Sequence, residues 1–229
     1  MQSSIRLLVF DWDGTLLDSI GSIVACVQST LEELGEPAAE EERIRASIGL
    51  GLRETVEMFR PGCGDELFDR VVEVYRKLWM ESFCRTPHLF PEVPALLETL
   101  RNHGYRLAIA TAKSRGGLSH DLERTGLGRF FHSTRTIDEA PSKPNPQMLL
   151  DILAEQGVSP EESLMIGDTV HDLAMAENAR VPSVAVLSGC DSRETLEPWR
   201  PAACLGSVTE LLSWLDIDRG ASIGPNRTC

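Results

Sequence analysis

The chain reads as an α/β protein: a three-layer core built on a parallel sheet, with an all-helical cap inserted into it. Three observations predict this. Short apolar runs alternate with helix-spaced stretches over most of the sequence, the pattern of parallel strands joined by crossover helices. A block spanning residues 18–85 has helical spacing and no convincing strand. The apolar runs end in acidic, hydroxyl or small residues, which places chemistry at the carboxyl ends of strands, where open α/β sheets bind ligands.

Each element follows from its residues. Residues 5–10 are a continuous apolar run stopped by Asp11, a buried strand. Ile20, Ile23, Val24, Val27, Leu31 and Leu34 recur at helical spacing, and Gly35 closes that helix. A second helix follows Pro37, and the glycine-punctuated IGLGLRETV leads into a third. Residues 67–83 form one long amphipathic helix with Val71, Val74, Tyr75 and Leu78 on its apolar face. Val93, Leu96, Leu97 and Leu100 begin the second half with another helix, ended by Gly104. Strands are then expected at 105–110, 132–135, 163–166, 183–186 and 202–205, and helices at 117–125, 146–156, 170–179 and 208–215. The division is 1–17 and 86–216 for the core, 18–85 for the cap and 217–229 for a frayed tail.

Composition narrows the function. The 229 residues carry 22 Lys+Arg against 35 Asp+Glu, a net charge of −13, which disfavours nucleic acid and anionic membrane surfaces as partners. With 42% hydrophobic and 25% charged residues the chain is an ordinary globular one. No apolar run is long enough for a membrane span, and the start lacks the pattern of a signal peptide. The six cysteines form no CxxC pair and read as reduced thiols in the cytoplasm.

The segments at the strand ends are Asp11-Trp12-Asp13-Gly14-Thr15, Thr111-Ala112-Lys113, Ser142-Lys143-Pro144 and Gly167-Asp168-Thr169, with Asp172 four residues after Asp168. In a parallel sheet they converge on one edge, bringing together four carboxylates, one or two ammonium groups and a hydroxyl. Crowded carboxylates repel, and the usual resolution is a hard cation such as Mg²⁺ beside a substrate phosphate. Metal, lysine and hydroxyl together suit a phosphoryl group. Taken singly, each aspartate is equally a turn residue or helix cap, and Lys143 a surface lysine. The lysine count speaks against the latter: of three lysines, set against nineteen arginines, Lys113 and Lys143 both fall in these segments.

DWDGTLLDS, ATAKS, SKPNP and GDTVHD resemble, in order and spacing, the four motifs of the haloacid dehalogenase-like hydrolase superfamily. The helical insert after the first motif is similar to the small-cap branch that includes phosphoglycolate phosphatases. The resemblance implies a Rossmann-like core and a Mg²⁺-dependent phosphatase acting on a small phosphorylated metabolite as a monomer or homodimer. It implies Asp11 as nucleophile, Asp13 as general acid and base, and Thr111, Ala112 and Lys143 as phosphate-binding groups. Mg²⁺ would be held by Asp11, the Asp13 carbonyl and Asp168, with Asp172 behind the metal or orienting Lys143. The cap would close on hinges near Asp18 and residues 86–91, and Arg53 of the cap would meet an anionic group of the substrate. Phosphomutase and pyrophosphatase chemistry stay open, as does a non-catalytic interaction protein. Asp13 argues against a dehalogenase, which has no leaving oxygen to protonate. Lys77, the one cap lysine, is expected on a solvated helix face rather than as a Schiff-base former.

Overall fold

A short apolar run buries both of its faces only as an inner strand, and Leu7–Phe10, the first strand, does so completely. The structure, a computed structural model, describes residues 5–83 and 88–217. Its sheet is formed by β1 (Leu7–Phe10), β2 (Arg106–Ala110), β3 (Ser133–Arg135), β4 (Ser163–Gly167), β5 (Ser183–Val186) and β6 (Cys204–Leu205). All pairings are parallel, in the order β3-β2-β1-β4-β5-β6. Phe10 at the end of β1 is level with Ile109 of β2 and Ile166 of β4. Strand order reverses between β1 and β4, the switch point at which such sheets open a crevice.

Between β1 and β2 lie α1 (Ile20–Glu33), α2 (Glu41–Ser47), α3 (Leu52–Phe59) and α4 (Asp65–Leu78), followed by a π-helical turn, Trp79–Phe83. This block has its own apolar cluster, in which Ile20, Val24, Val27 and Leu31 of α1 meet Ile44, Ile48 and Phe59. Where the chain enters the block, Asp18 N–H donates to the His88 carbonyl, and Phe90 N–H donates to Leu16. Of the expected hinge at residues 86–91, residues 86 and 87 lie outside the described residues, as does the expected boundary at 85/86.

Period-two alternation along the strands feeds two further apolar layers. Leu8 and Phe10 point to one face, covered by α5 (Val93–Asn102), α6 (Arg115–Thr125) and, after β6, α10 (Leu211–Trp214). Leu7 and Val9 point to the other, covered by α7 (Gln147–Gln156) and α8 (Val170–Asn178). A short α9 (Arg193–Leu196), which sequence pattern does not announce, caps β5 through Leu196. Ile217 packs against the first layer, so chain assigned to the tail begins in contact with the core.

Two elements differ from expectation in kind. The helix foreseen over 67–83 is α-helical only to Leu78; its last turn is π-helical. An i→i+5 turn leaves no mark on apolar periodicity in so short a stretch, so pattern reading continues the α-helix. The last helix, foreseen at 208–215, is a 3₁₀ turn, Val208–Glu210, running into α10.

Leu97 is fully buried on α5, whereas Leu150 on α7 is 40% exposed. Urea denaturation should show Leu97→Ala destabilised by about 2–5 kcal/mol and Leu150→Ala changed by less than about 0.5 kcal/mol.

Candidate active site

The site is built where β1 and β4 end. Asp11 N–H still pairs with the Ile166 carbonyl, extending the sheet by one bond and fixing the Asp11 side chain at its edge. Trp12 turns into the core, so Asp11 and Asp13 both face the cleft above the edge. Gly14 then reverses the chain with φ +86°, and any Cβ there would collide with the Asp168 carboxylate. Among the described residues, the N–H groups of Trp12, Asp13 and Ala112 donate to no backbone carbonyl.

The centre is an ion cluster. Lys143 Nζ lies 2.6 Å from Asp11 Oδ1 and 2.6 Å from Asp172 Oδ1, and all three residues are buried. Asp172 is saturated by its surroundings: its Oδ2 accepts Thr169 N–H at 3.1 Å and the Thr169 hydroxyl at 2.8 Å, a capping box that also starts α8. Asp168 is held by the Thr15 hydroxyl at 2.8 Å and the Cys190 N–H at 2.9 Å. Carboxylate oxygens of Asp11, Asp168 and Asp172 lie within 4.8 Å of one another.

Three buried carboxylates share one ammonium here, and the electrostatics record the deficit. Burial pushes the Asp11 carboxyl up to about 7, opposed by Lys143 and reinforced by Asp172 and Asp13. Burial, then Asp11 and Asp172, raise Asp168 well above the usual carboxylate range. Lys143 is raised despite its burial, because Asp11 and Asp172 flank it. A hard divalent cation fits this donor set. Asp172 is occupied, so Asp11 and Asp168 offer the oxygens, and Gly14 and Gly189 leave room around the Asp168 carboxylate. The Asp13 carbonyl accepts no backbone hydrogen bond among the described residues. The Cys190 thiol is pushed up by burial, then by Asp168 and Asp191, so it offers no thiolate.

Asp13 has a separate setting. Its Oδ1 accepts the Ser19 hydroxyl at 2.6 Å and pairs with Lys113 at 3.1 Å. Lys113 also pairs with buried Asp121 at 3.3 Å, which accepts the Trp12 indole N–H at 3.0 Å, and it sits 4.8 Å from the Trp79 ring centre. Thr111 is buried beside the cleft and its hydroxyl accepts Lys113 N–H. Lys113 stood out in sequence only by its rarity. Ser19 closes the first motif but was given no role there, and Asp121 and Trp79 carried no signal, because each reaches the site from an element remote from the motifs.

The structure brings Asp11, Asp13, Thr111, Ala112, Lys143, Asp168 and Asp172 to one edge. It does not bring Arg53. That guanidinium stacks on Phe68 at 3.9 Å, pairs with Asp65 at 3.3 Å and is more than half exposed outside the cleft. An aromatic face and a carboxylate one helix away hold it there; Arg76 of α4 is the arginine lining the cleft. Lys77 is exposed and paired with Glu33. The loop after α2 rests on the core: Gly51 N–H donates to the Ser142 hydroxyl, and His171 Nε2 lies 3.2 Å from the Ala46 carbonyl. Gly49 needs its φ of +95° here, where a Cβ would press on Thr169.

The fold and site define an α/β protein with a Rossmann-like sheet and an acidic, lysine-bearing crevice at its switch point. Residues 8–186 match the family model of the haloacid dehalogenase-like hydrolases, and the chain belongs to that family. It is similar to a phosphoglycolate phosphatase of Vibrio parahaemolyticus, at 30% identity over 92% of this chain and 96% of that one. It is also similar to the pyrophosphatase PpaX of Bacillus velezensis, at 30% identity over 91% and 95%. A haloacid dehalogenase-like family protein of Streptococcus pneumoniae superposes with a TM-score of 0.80 at 26% identity, covering 93% of this chain and 99% of that one. The protein is thus an enzyme of the phosphatase side of this family.

The raised carboxyls give a linkage prediction. Asp11 has a folded pKa near 7 without metal, against about 3.9 unfolded. Between these values the folded state holds the extra proton, so this group's contribution to stability falls as pH rises through the window. A bound cation favours the ionised form and removes that loss. The rise in Tm caused by Mg²⁺ should therefore be larger at pH 8 than at pH 5 in differential scanning fluorimetry; an equal rise would contradict the charge deficit.

Proposed function

We propose that this chain is a Mg²⁺-dependent phosphatase that hydrolyses a small phosphate monoester through an aspartyl-phosphate, on a phosphoglycolate phosphatase-like scaffold with residues 18–85 as its cap. The observation carrying this reading is the placement of Lys143 between Asp11 and Asp172, with Asp13 beside Asp11 on the cleft side.

Lys143 holds Asp11 by one carboxylate oxygen, Oδ1, which leaves Oδ2 for a substrate in the cleft that Asp11 lines. That oxygen attacks phosphorus, forming the Asp11–phosphorus bond as the bond to the leaving oxygen breaks. Asp13 gives its proton to the leaving oxygen, then accepts one from the water that attacks the aspartyl-phosphate and releases phosphate and Asp11. Ser19 and Lys113 fix Asp13 through Oδ1, which leaves Oδ2 for the proton transfer. Thr111, Lys143 and the N–H groups of Trp12, Asp13 and Ala112 receive the phosphoryl oxygens. Asp11, Asp168 and the Asp13 carbonyl would hold Mg²⁺, which when bound neutralises phosphate charge. Among the described residues no helix is long and apolar enough to cross a membrane, and Cys26, Cys63, Cys190 and Cys204 are free thiols, which supports a cytoplasmic setting. The likeness to a pyrophosphatase keeps inorganic pyrophosphate as a second candidate substrate.

Hydrolysis of p-nitrophenyl phosphate should require Mg²⁺ and stop with chelator; equal rates in both would refute the reading. Asp11→Asn should lower kcat by at least about 10³-fold while circular dichroism stays native.

A further inference from the structure

The cleft between the helical block and the sheet edge is larger and more apolar than phosphoryl transfer needs. Its volume is about 530 Å³. The floor is polar, with Asp11, Asp13, Thr111 and Lys113, and Ser47, Thr55, Arg76, Ser114 and Asp138 add polar groups around it. A continuous apolar wall is formed by Ile23 and Val27 of α1, Leu50 of the loop after α2, Tyr75 of α4, Trp79 of the π-helical turn and Ile137 from the core side. Tyr75 and Trp79 stack with ring centres 6.1 Å apart, giving this wall a broad rigid surface. Met80, 54% exposed, extends this wall at the mouth of the cleft.

The cations lining the cleft are Arg76 and Lys113, and Lys113 is already engaged by Asp13 and Asp121. Asp138 adds a further carboxylate to the lining. Arg76 offers a partner to one anionic group at most, whereas a ring would displace water from the whole apolar wall. Resting on the phosphatase reading above, we propose that the leaving group is an apolar, ring-sized alcohol, so that the substrate class is phosphate monoesters of aryl-bearing alcohols rather than of glycolate. The floor carries out the chemistry, and the cap wall selects what the phosphate is attached to.

Benzyl phosphate and ethyl phosphate test this, because both release an unactivated primary alcohol and differ in the ring. With Mg²⁺, kcat/KM for benzyl phosphate should exceed that for ethyl phosphate and for 2-phosphoglycolate by at least about tenfold. In Met80→Glu and Trp79→Ala the benzyl-to-ethyl ratio should fall to within about twofold of unity. The ratio is taken within each variant, so partial loss of folded protein cancels, and Met80 is exposed enough to change without loss of fold. A wild-type preference for 2-phosphoglycolate, or a ratio that neither variant alters, overturns the substrate class while leaving the phosphatase reading intact. No turnover of any of the three esters overturns both.

Discussion

A single ammonium group organises this molecule. Lys143 is buried at the carboxyl edge of a parallel sheet, and an ammonium without water around it survives only if carboxylates surround it. Asp11 and Asp172 do so from β1 and α8, tying the first strand of the chain to a helix that starts some 160 residues later. Each carboxylate then has demands of its own. Asp172 is met by Thr169, which caps α8 in the same act. Asp168 is met by Thr15 and the Cys190 N–H, and the glycines at 14 and 189 keep its carboxylate unobstructed. What looks like a set of separate motifs is one solution to burying three negative charges around one positive charge.

That solution is incomplete by design. Burial, reinforced by the excess of carboxylate over ammonium, raises Asp11 and Asp168, and on the proposed reading a divalent cation and a phosphoryl group would complete the charge at this edge. On that reading a protein of net charge −13 would receive an anion because the field that matters is set within a few ångströms by Lys143 and a cation, while screening weakens the distant surface acids. The helical block adds the second half of the environment. It has its own apolar cluster, yet several of its apolar groups, Ile23, Val27 and Tyr75 among them, also line the cleft. On the proposed reading chemistry is placed on the sheet edge and selection on the surface facing it.

The order of strands and crossover helices was legible because burial on both faces demands continuous apolar runs, and crossover helices demand a 3.6-residue period. Asp11, Asp13, Thr111, Lys143, Asp168 and Asp172 were legible because each follows a strand or opens a helix in a motif whose spacing backbone geometry imposes. Lys113 was visible as a rarity without a partner. Arg53 was open to either reading, since a charged residue in a glycine-punctuated motif suggests a ligand contact, but sequence does not reveal that Phe68 and Asp65 stand close enough to hold it outside the cleft. The π-helical turn at Trp79–Phe83 was hidden because one residue more per turn leaves no trace in so short a stretch.

By itself, the sequence determined the α/β class, the family and the floor of the site, since these depend on local pattern and on residues at fixed spacing from strand ends. Only the tertiary structure decided what each carboxylate touches, which arginine lines the cleft and how large and apolar that cleft is. Those properties arise between elements far apart in the chain, such as Asp13 with Lys113, Trp12 with Asp121 and Trp79 with Lys113. Contacts of that kind are set by how layers pack, and no spacing within one segment encodes them.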